Sequence, residues 1–192
     1  MLLYASLGLA GAAWLVLSGY HFVLYLAVPA LPVFAWHLWL VSRRAERRKP
    51  GVEIVGAGAL ALAAPAAYWV ACQGYEPTGW LLWALFWLQG AAAIVYTYLR
   101  LDQREWSSAP ALKVRLRAGR RALAYAAFNL ASVFTLALAG WVPSGLPLVF
   151  VVQFTETLLG SLKPAIGAKP SQIGVRQTIV SALFGVLFLV LW

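Results

Sequence analysis

GWLLWALFWLQGAAAIVYTYL, residues 79–99, decides the architecture of this chain. It contains no charged side chain and stops at Arg100. A helix needs about 20 apolar residues to cross the hydrocarbon core of a bilayer, and this run supplies them. Outward from it the same pattern recurs at residues 2–18, 20–42, 52–72, 122–141, 145–162 and 174–192. Charged residues make up 11% of the 192 positions and hydrophobic ones 62%, with a mean hydropathy of +0.78. Soluble domains carry about 25% charged residues, so the composition excludes an ordinary one. The expectation is all-α: a polytopic transmembrane helix bundle of about seven spans, a single membrane domain over residues 1–192 with no soluble domain. The first run lacks a basic flank, and the next follows after two residues, so it reads as a span and not as a signal peptide. No internal repeat supports an inverted-repeat transporter.

Charge placement predicts the orientation. The chain has 15 Lys and Arg against 6 Asp and Glu. Arg43, Arg44, Arg47, Arg48 and Lys49 lie between spans two and three. Arg100, Arg104, Lys113, Arg115, Arg117, Arg120 and Arg121 lie between four and five, and Lys163, Lys169 and Arg176 between six and seven. Every basic residue thus falls on an even-numbered connection, and cytoplasmic loops are the ones enriched in Lys and Arg. This puts the N-terminus in the cytoplasm and the C-terminus outside. The odd connections are short turns such as Ser18-Gly19 and Trp141-Val142-Pro143-Ser144-Gly145. Trp69, Tyr75, Trp80 and Trp141 fall at the outer ends, and Trp36, Trp39 and Trp106 near the inner face, where amphipathic rings favour the headgroup layer. A pI near 10.1 is high enough for nucleic-acid binding, but charges confined to short loops between apolar runs argue against that partner. From Gln177 to Trp192 the last span rises only about 24 Å, which predicts local thinning or entry of the Arg176 region.

The polar exceptions are few. Cys72 is the only cysteine, and His21 and His37 are the only histidines, so no intrachain disulfide, metal site or cofactor is expected. Ionisable groups within spans are expensive and default to functional candidates. Glu156, with Gln153, Thr157 and Gly160 at helical spacing, forms a polar stripe suited to a helix–helix contact. The carboxylate either reaches the inner headgroups or pairs with Lys163, or it serves as a buried proton or ligand site. Glu156 lies about 10 Å from Lys163 along the helix, Asn129 about 12 Å from Arg121, and His37 about 9 Å from Arg43. One layer below the cytoplasmic face would hold all three, and Asn129 and His37 are the expected hydrogen-bond partners of Glu156. Glu53 follows Pro50-Gly51 in the first turn of span three, where a carboxylate suits the helix dipole or contacts a ligand.

Lys113, Arg117 and Arg121 share a helical face, with Leu112 and Leu116 beside it, fitting a basic helix on an anionic leaflet. Lys163, Lys169 and Arg176 form a loop that either clasps an anion or is simply positive-inside. Pro29, Pro32 and Pro65 fall within spans, where each frees a carbonyl and bends the helix.

Three stretches resemble the YwiC-like family of bacterial membrane proteins: Glu53–Tyr68 with its Ala64-Pro65-Ala66-Ala67-Tyr68 ending, Lys169-Pro170-Ser171-Gln172-Ile173-Gly174-Val175-Arg176, and the long basic loop after span four. The resemblance implies a multi-pass protein of the bacterial inner membrane and supplies no activity. That family opens on a His-Gly-Ala-Trp segment. Here Gly11-Ala12-Ala13-Trp14 lacks the His, so its role is not carried over and a shortened member is expected.

Three functions compete. The first is binding or transport of a small solute or lipid through a cytoplasm-facing polar pocket. The second is an accessory or scaffold role in a membrane complex such as a respiratory one, with a homo-oligomer or a complex partner beside the membrane lipids. The third, a prenyltransferase-like enzyme, needs carboxylates to hold Mg²⁺ against a diphosphate. Glu46, Asp102 and Glu105 make no Asp-rich motif, so no catalytic residue is assigned. The binding reading is carried forward.

Overall fold

The computed structural model describes residues 2–42 and 50–192. The first basic loop of the topology reading, with Arg43, Arg44, Arg47, Arg48 and Lys49, lies outside the described residues, as does Glu46. Among the described residues all regular structure is helical: α1 Leu2–Leu17, a 3-10 helix His21–Leu26, α2 Ala27–Ser42, α3 Pro50–Leu60, α4 Ala63–Ala71, α5 Thr78–Gln103, α6 Leu112–Leu138, α7 Pro147–Leu162 and α8 Pro170–Leu191. Five stretches are long and apolar enough to cross a membrane: His21–Leu40, Pro50–Ala71, Thr78–Gln103, Leu112–Leu138 and Pro170–Leu191. Ser6–Leu17 and Pro147–Leu162 are shorter apolar helices. In the five long stretches, between 11% and 39% of the most apolar window is buried, leaving outward apolar faces of the kind lipid covers.

Several helices outrun the runs that predicted them. Helix α5 continues to Gln103, α6 starts at Leu112 and not near 122, and α8 starts at Pro170 and not at 174. The runs were bounded by charge, but Lys and Arg are good helix formers whose stems lie along apolar surface while their heads reach water. Lys113, Arg117 and Arg121 therefore sit on the first three turns of one 27-residue helix, not on a separate one.

The chain divides into two compact units, Met1–Trp87 and Leu88–Trp192, with the boundary inside α5. In the first unit, Trp69 is fully buried and packs with Leu26 and Leu62, flanked by Phe22, Ala66 and Trp80. Pro65 breaks the third apolar run as expected. Having no N–H, it leaves the Ala61 carbonyl to Ala64 N–H, and Leu62 N–H turns to the Ala59 carbonyl at 3.2 Å. The carbonyl of Gly58, which Leu62 would take in an unbroken helix, accepts the Trp83 indole N–H at 2.8 Å instead. Trp87 donates likewise to Ile54 O at 2.7 Å and stacks on Trp83 with centroids 5.0 Å apart.

In the second unit, α7 packs against α6 and α8. Its buried residues Val149, Phe150, Gln153, Glu156, Thr157, Gly160 and Ser161 follow three- and four-residue steps along one face. Close approach is set by small residues: a Cβ on Gly160 would strike the Tyr96 hydroxyl, and one on Gly119 would strike Ser161 Oγ. Phe150 meets Phe184 edge-on at 5.2 Å, closing the apolar end of the same face.

Candidate functional site

The polar face of α7 is bonded at three successive levels. At the first, Gln153 Oε1 accepts from Gln89 Nε2 on α5 at 3.1 Å and from Gln177 Nε2 on α8 at 3.3 Å. Gln153 Nε2 donates to Thr157 Oγ1 at 3.2 Å, and Thr157 returns its hydroxyl proton to the Gln153 carbonyl at 2.8 Å. Such a network orients every member, because each amide has few alternatives once it is removed from water.

One turn along, Glu156 is held from two sides. The Tyr96 hydroxyl donates to Oε1 at 2.6 Å. Arg176 donates through Nε to Oε1 at 2.6 Å and through Nη2 to Oε2 at 2.9 Å. A two-pronged guanidinium–carboxylate contact is among the strongest and most directional polar contacts available to side chains.

The third level is the C-terminus of α7, whose last carbonyls have no partner within the helix. Arg100 Nη1 donates to Gly160 O at 2.9 Å, to Lys163 O at 2.6 Å and to Gln103 Oε1 at 2.9 Å. Gln103 Nε2 adds a bond to Gly160 O at 3.1 Å, and Arg115 donates to Leu162 O. Cations suit this end of a helix, where the backbone dipoles leave partial negative charge. Gly167 N–H bonds Arg104 O at 3.1 Å, tying the α7–α8 connection to the end of α5.

Beside the second and third levels lies a cavity of about 140 Å³, walled by Tyr96 and Arg100 on α5, Ala165 and Ala168 on the connection, and Gln172, Ile173 and Arg176 on α8. Two guanidinium groups border it, and Glu156 compensates one of them.

The structure places the expected residues differently from one another. Glu156, Gln153 and Thr157 come together on the buried face of α7. Asn129 is buried too, but it donates to the Leu88 carbonyl at 2.6 Å and its Oδ1 has no protein partner. The carboxylate of Glu156 takes Tyr96 and Arg176 where Asn129 was expected, because equal depth fixes height along a helix and not direction around it. His37 is half-buried on α2 in the first unit. Glu53 is exposed in the first turn of α3. Lys113, Arg117 and Arg121 are exposed on α6, and Lys163 and Lys169 are exposed on the α7–α8 connection. Arg176 was expected in a loop, as an anion or headgroup contact; its place in a loop is corrected, since the early start of α8 puts it in the second helical turn, against Glu156. Snorkelling and a Glu156–Lys163 pair are replaced by this contact.

The reading from sequence missed Tyr96, Arg100, Gln89, Gln103 and Gln177. The signal was there on α5, since residues 89, 96, 100 and 103 recur at steps of seven, four and three, one face of a helix. Among the described residues no three His, Cys, Asp or Glu side chains converge as a metal site. No protein-family model, curated protein or solved structure matches this chain.

Proposed function

We propose that this chain is a multi-pass membrane protein that binds a small anionic group in the cavity between Arg100 and Arg176. One observation carries the reading: two arginines border a single cavity, and among the described residues one carboxylate, Glu156, is paired with them. An anion entering there meets two guanidinium groups, one set against Glu156 and one against the partial negative end of α7, beside the Tyr96 and Gln172 side chains. The cavity is of useful size, since engineered cavities of about 150 Å³ admit a benzene-sized guest. The polar rungs Glu156 and Gln153 continue from it along α7, and Gln89 Oε1 and Gln177 Oε1 are buried acceptors without a protein partner. Buried polar atoms of this kind call for water or ligand.

The chain crosses the inner membrane of a bacterium seven times, as a YwiC-like protein, with the N-terminus and the cavity on the cytoplasmic side. The one-sided placement of Lys and Arg supports it. Helix α7, at about 24 Å, crosses where the bilayer thins or where its neighbours shield its ends.

The test is thermal unfolding of the full chain in a neutral detergent with phosphate, sulfate or chloride. Phosphate and sulfate should protect beyond chloride at equal ionic strength, and Arg100→Gln should remove that difference. Equal effects of the three salts on the native chain would refute the anion site.

A further inference from the structure

A second, shallow and outward-open groove of about 520 Å³ lies on one face of α8 alone, formed by Ser171, Val175, Ile179 and Val180, and it shares Gln172 and Arg176 with the cavity. Val175 and Ile179 are one turn apart and more than 60% exposed, so the floor of the groove is apolar and open outward. The two spaces thus meet at Arg176, with charge on one side and hydrocarbon on the other. We propose that the occupant is a phosphate-bearing lipid, its phosphate between Arg100 and Arg176 and its chain along Val175, Ile179 and Val180. This rests on the anion-site reading above and narrows it to one ligand class.

Three features point to a lipid over a free anion. Arg176 lies six residues in from Pro170, about 9 Å along the helix, the depth at which headgroup gives way to chain when α8 crosses a bilayer. A soluble anion gains nothing from the groove, whereas a molecule with a charged end and an apolar end fills both spaces. The sign of the charge also matches: a phosphodiester carries one negative charge, and among the described residues Glu156 pairs with Arg176 and not with Arg100. The chain itself gains only packing against α8, because the bilayer is equally apolar. Selectivity therefore resides in the headgroup, and the groove determines that the ligand arrives from the membrane.

The full chain is reconstituted into nanodiscs of equal phosphatidylglycerol and phosphatidylcholine, and the lipids retained on release are weighed by native mass spectrometry. A parallel arm titrates inorganic phosphate against the chain in neutral detergent. The expected result is retention of phosphatidylglycerol well above its share of the disc, weakened about tenfold by Arg100→Gln, the size of one lost charge-assisted contact. Ile179→Trp, which puts a bulky ring where the chain would lie while keeping the helix apolar, should reduce the enrichment by crowding the lipid away from Arg176, even if Arg100→Gln fails to fold. Phosphate binding without phosphatidylglycerol enrichment would overturn the lipid and leave the anion site standing. Enrichment untouched by Ile179→Trp would overturn the placement of the chain. Neither ligand binding would bring down both readings.

Discussion

Arg176 holds Glu156 with two nitrogens, at 2.6 and 2.9 Å, across the contact between α8 and α7. The arginine side chain is 55% exposed and the carboxylate 10%. Removing the carboxylate therefore leaves a half-solvated guanidinium, whereas removing the guanidinium leaves a buried acid with Tyr96 alone. Glu156→Leu should cost about 1–3 kcal/mol, below the range for fully buried pairs because solvent screens Arg176. Arg176→Gln should cost at least as much, and the double variant less than the sum. A double-mutant cycle on thermal unfolding measures the coupling; strict additivity would mean the pair adds nothing.

Gly160 allows Tyr96 to reach Glu156. A methyl at that position meets the phenol ring and its hydroxyl. Gly160→Ala should destabilise by about 1–3 kcal/mol, as overpacking does. In a Tyr96→Ala background, where the added methyl has room, the cost should shrink. Gly174 is the control: it lies in α8 with nothing within 4 Å of an added Cβ, so Gly174→Ala should be neutral or gain up to about 1 kcal/mol.

Trp83 and Pro65 are coupled through the Gly58 carbonyl. The break at Pro65 turns Leu62 N–H away, and the Trp83 indole takes the vacated acceptor. Trp83→Phe should cost about 1 kcal/mol in the native chain, the worth of one hydrogen bond and its orphaned acceptor. With Pro65→Ala the helix can close on that carbonyl, and the same substitution should cost less. An equal cost in both backgrounds would show that the two features are independent.

The topology is checked with a reporter active only in the cytoplasm. Fused after residue 110, in the basic connection between α5 and α6, it should give signal. Fused after residue 76, between α4 and α5, it should be silent. The opposite pattern would reverse the orientation and put the cavity outside.

Several helix positions were legible because the apolar run fills one helix: 79–99 became Thr78–Gln103, and 145–162 became Pro147–Leu162, whereas 20–42 divides into a 3-10 helix and α2, and 52–72 into α3 and α4. Their ends were less legible, since a change from apolar to basic residues marks a change of solvent and not the end of a helix. The stripe Gln153, Glu156, Thr157 and Gly160 was visible from spacing alone, and all four are buried. Their partners were not. Arg100 was read as a topology marker and Arg176 as that or an anion or headgroup contact, because an arginine at the edge of an apolar run looks the same whether it faces headgroups or a carboxylate. What distinguishes the two is the rotation of α5 and α8 about their own axes. That rotation depends on tertiary contacts such as Gly160 against Tyr96 and Gly167 N–H on Arg104 O, between residues far apart in the chain.

The most direct test of the cavity uses its own lining. Cys72 is the only cysteine, so Cys72→Ser gives a silent background, and Gln172→Cys places one thiol at the cavity wall. Labelling by a membrane-impermeant maleimide is then followed in whole cells and in inside-out vesicles, with and without phosphate. Labelling is expected only in the inside-out vesicles, slowed by phosphate more than by chloride. Labelling from the outside, or a rate that phosphate leaves unchanged, would contradict an anion cavity on the cytoplasmic side.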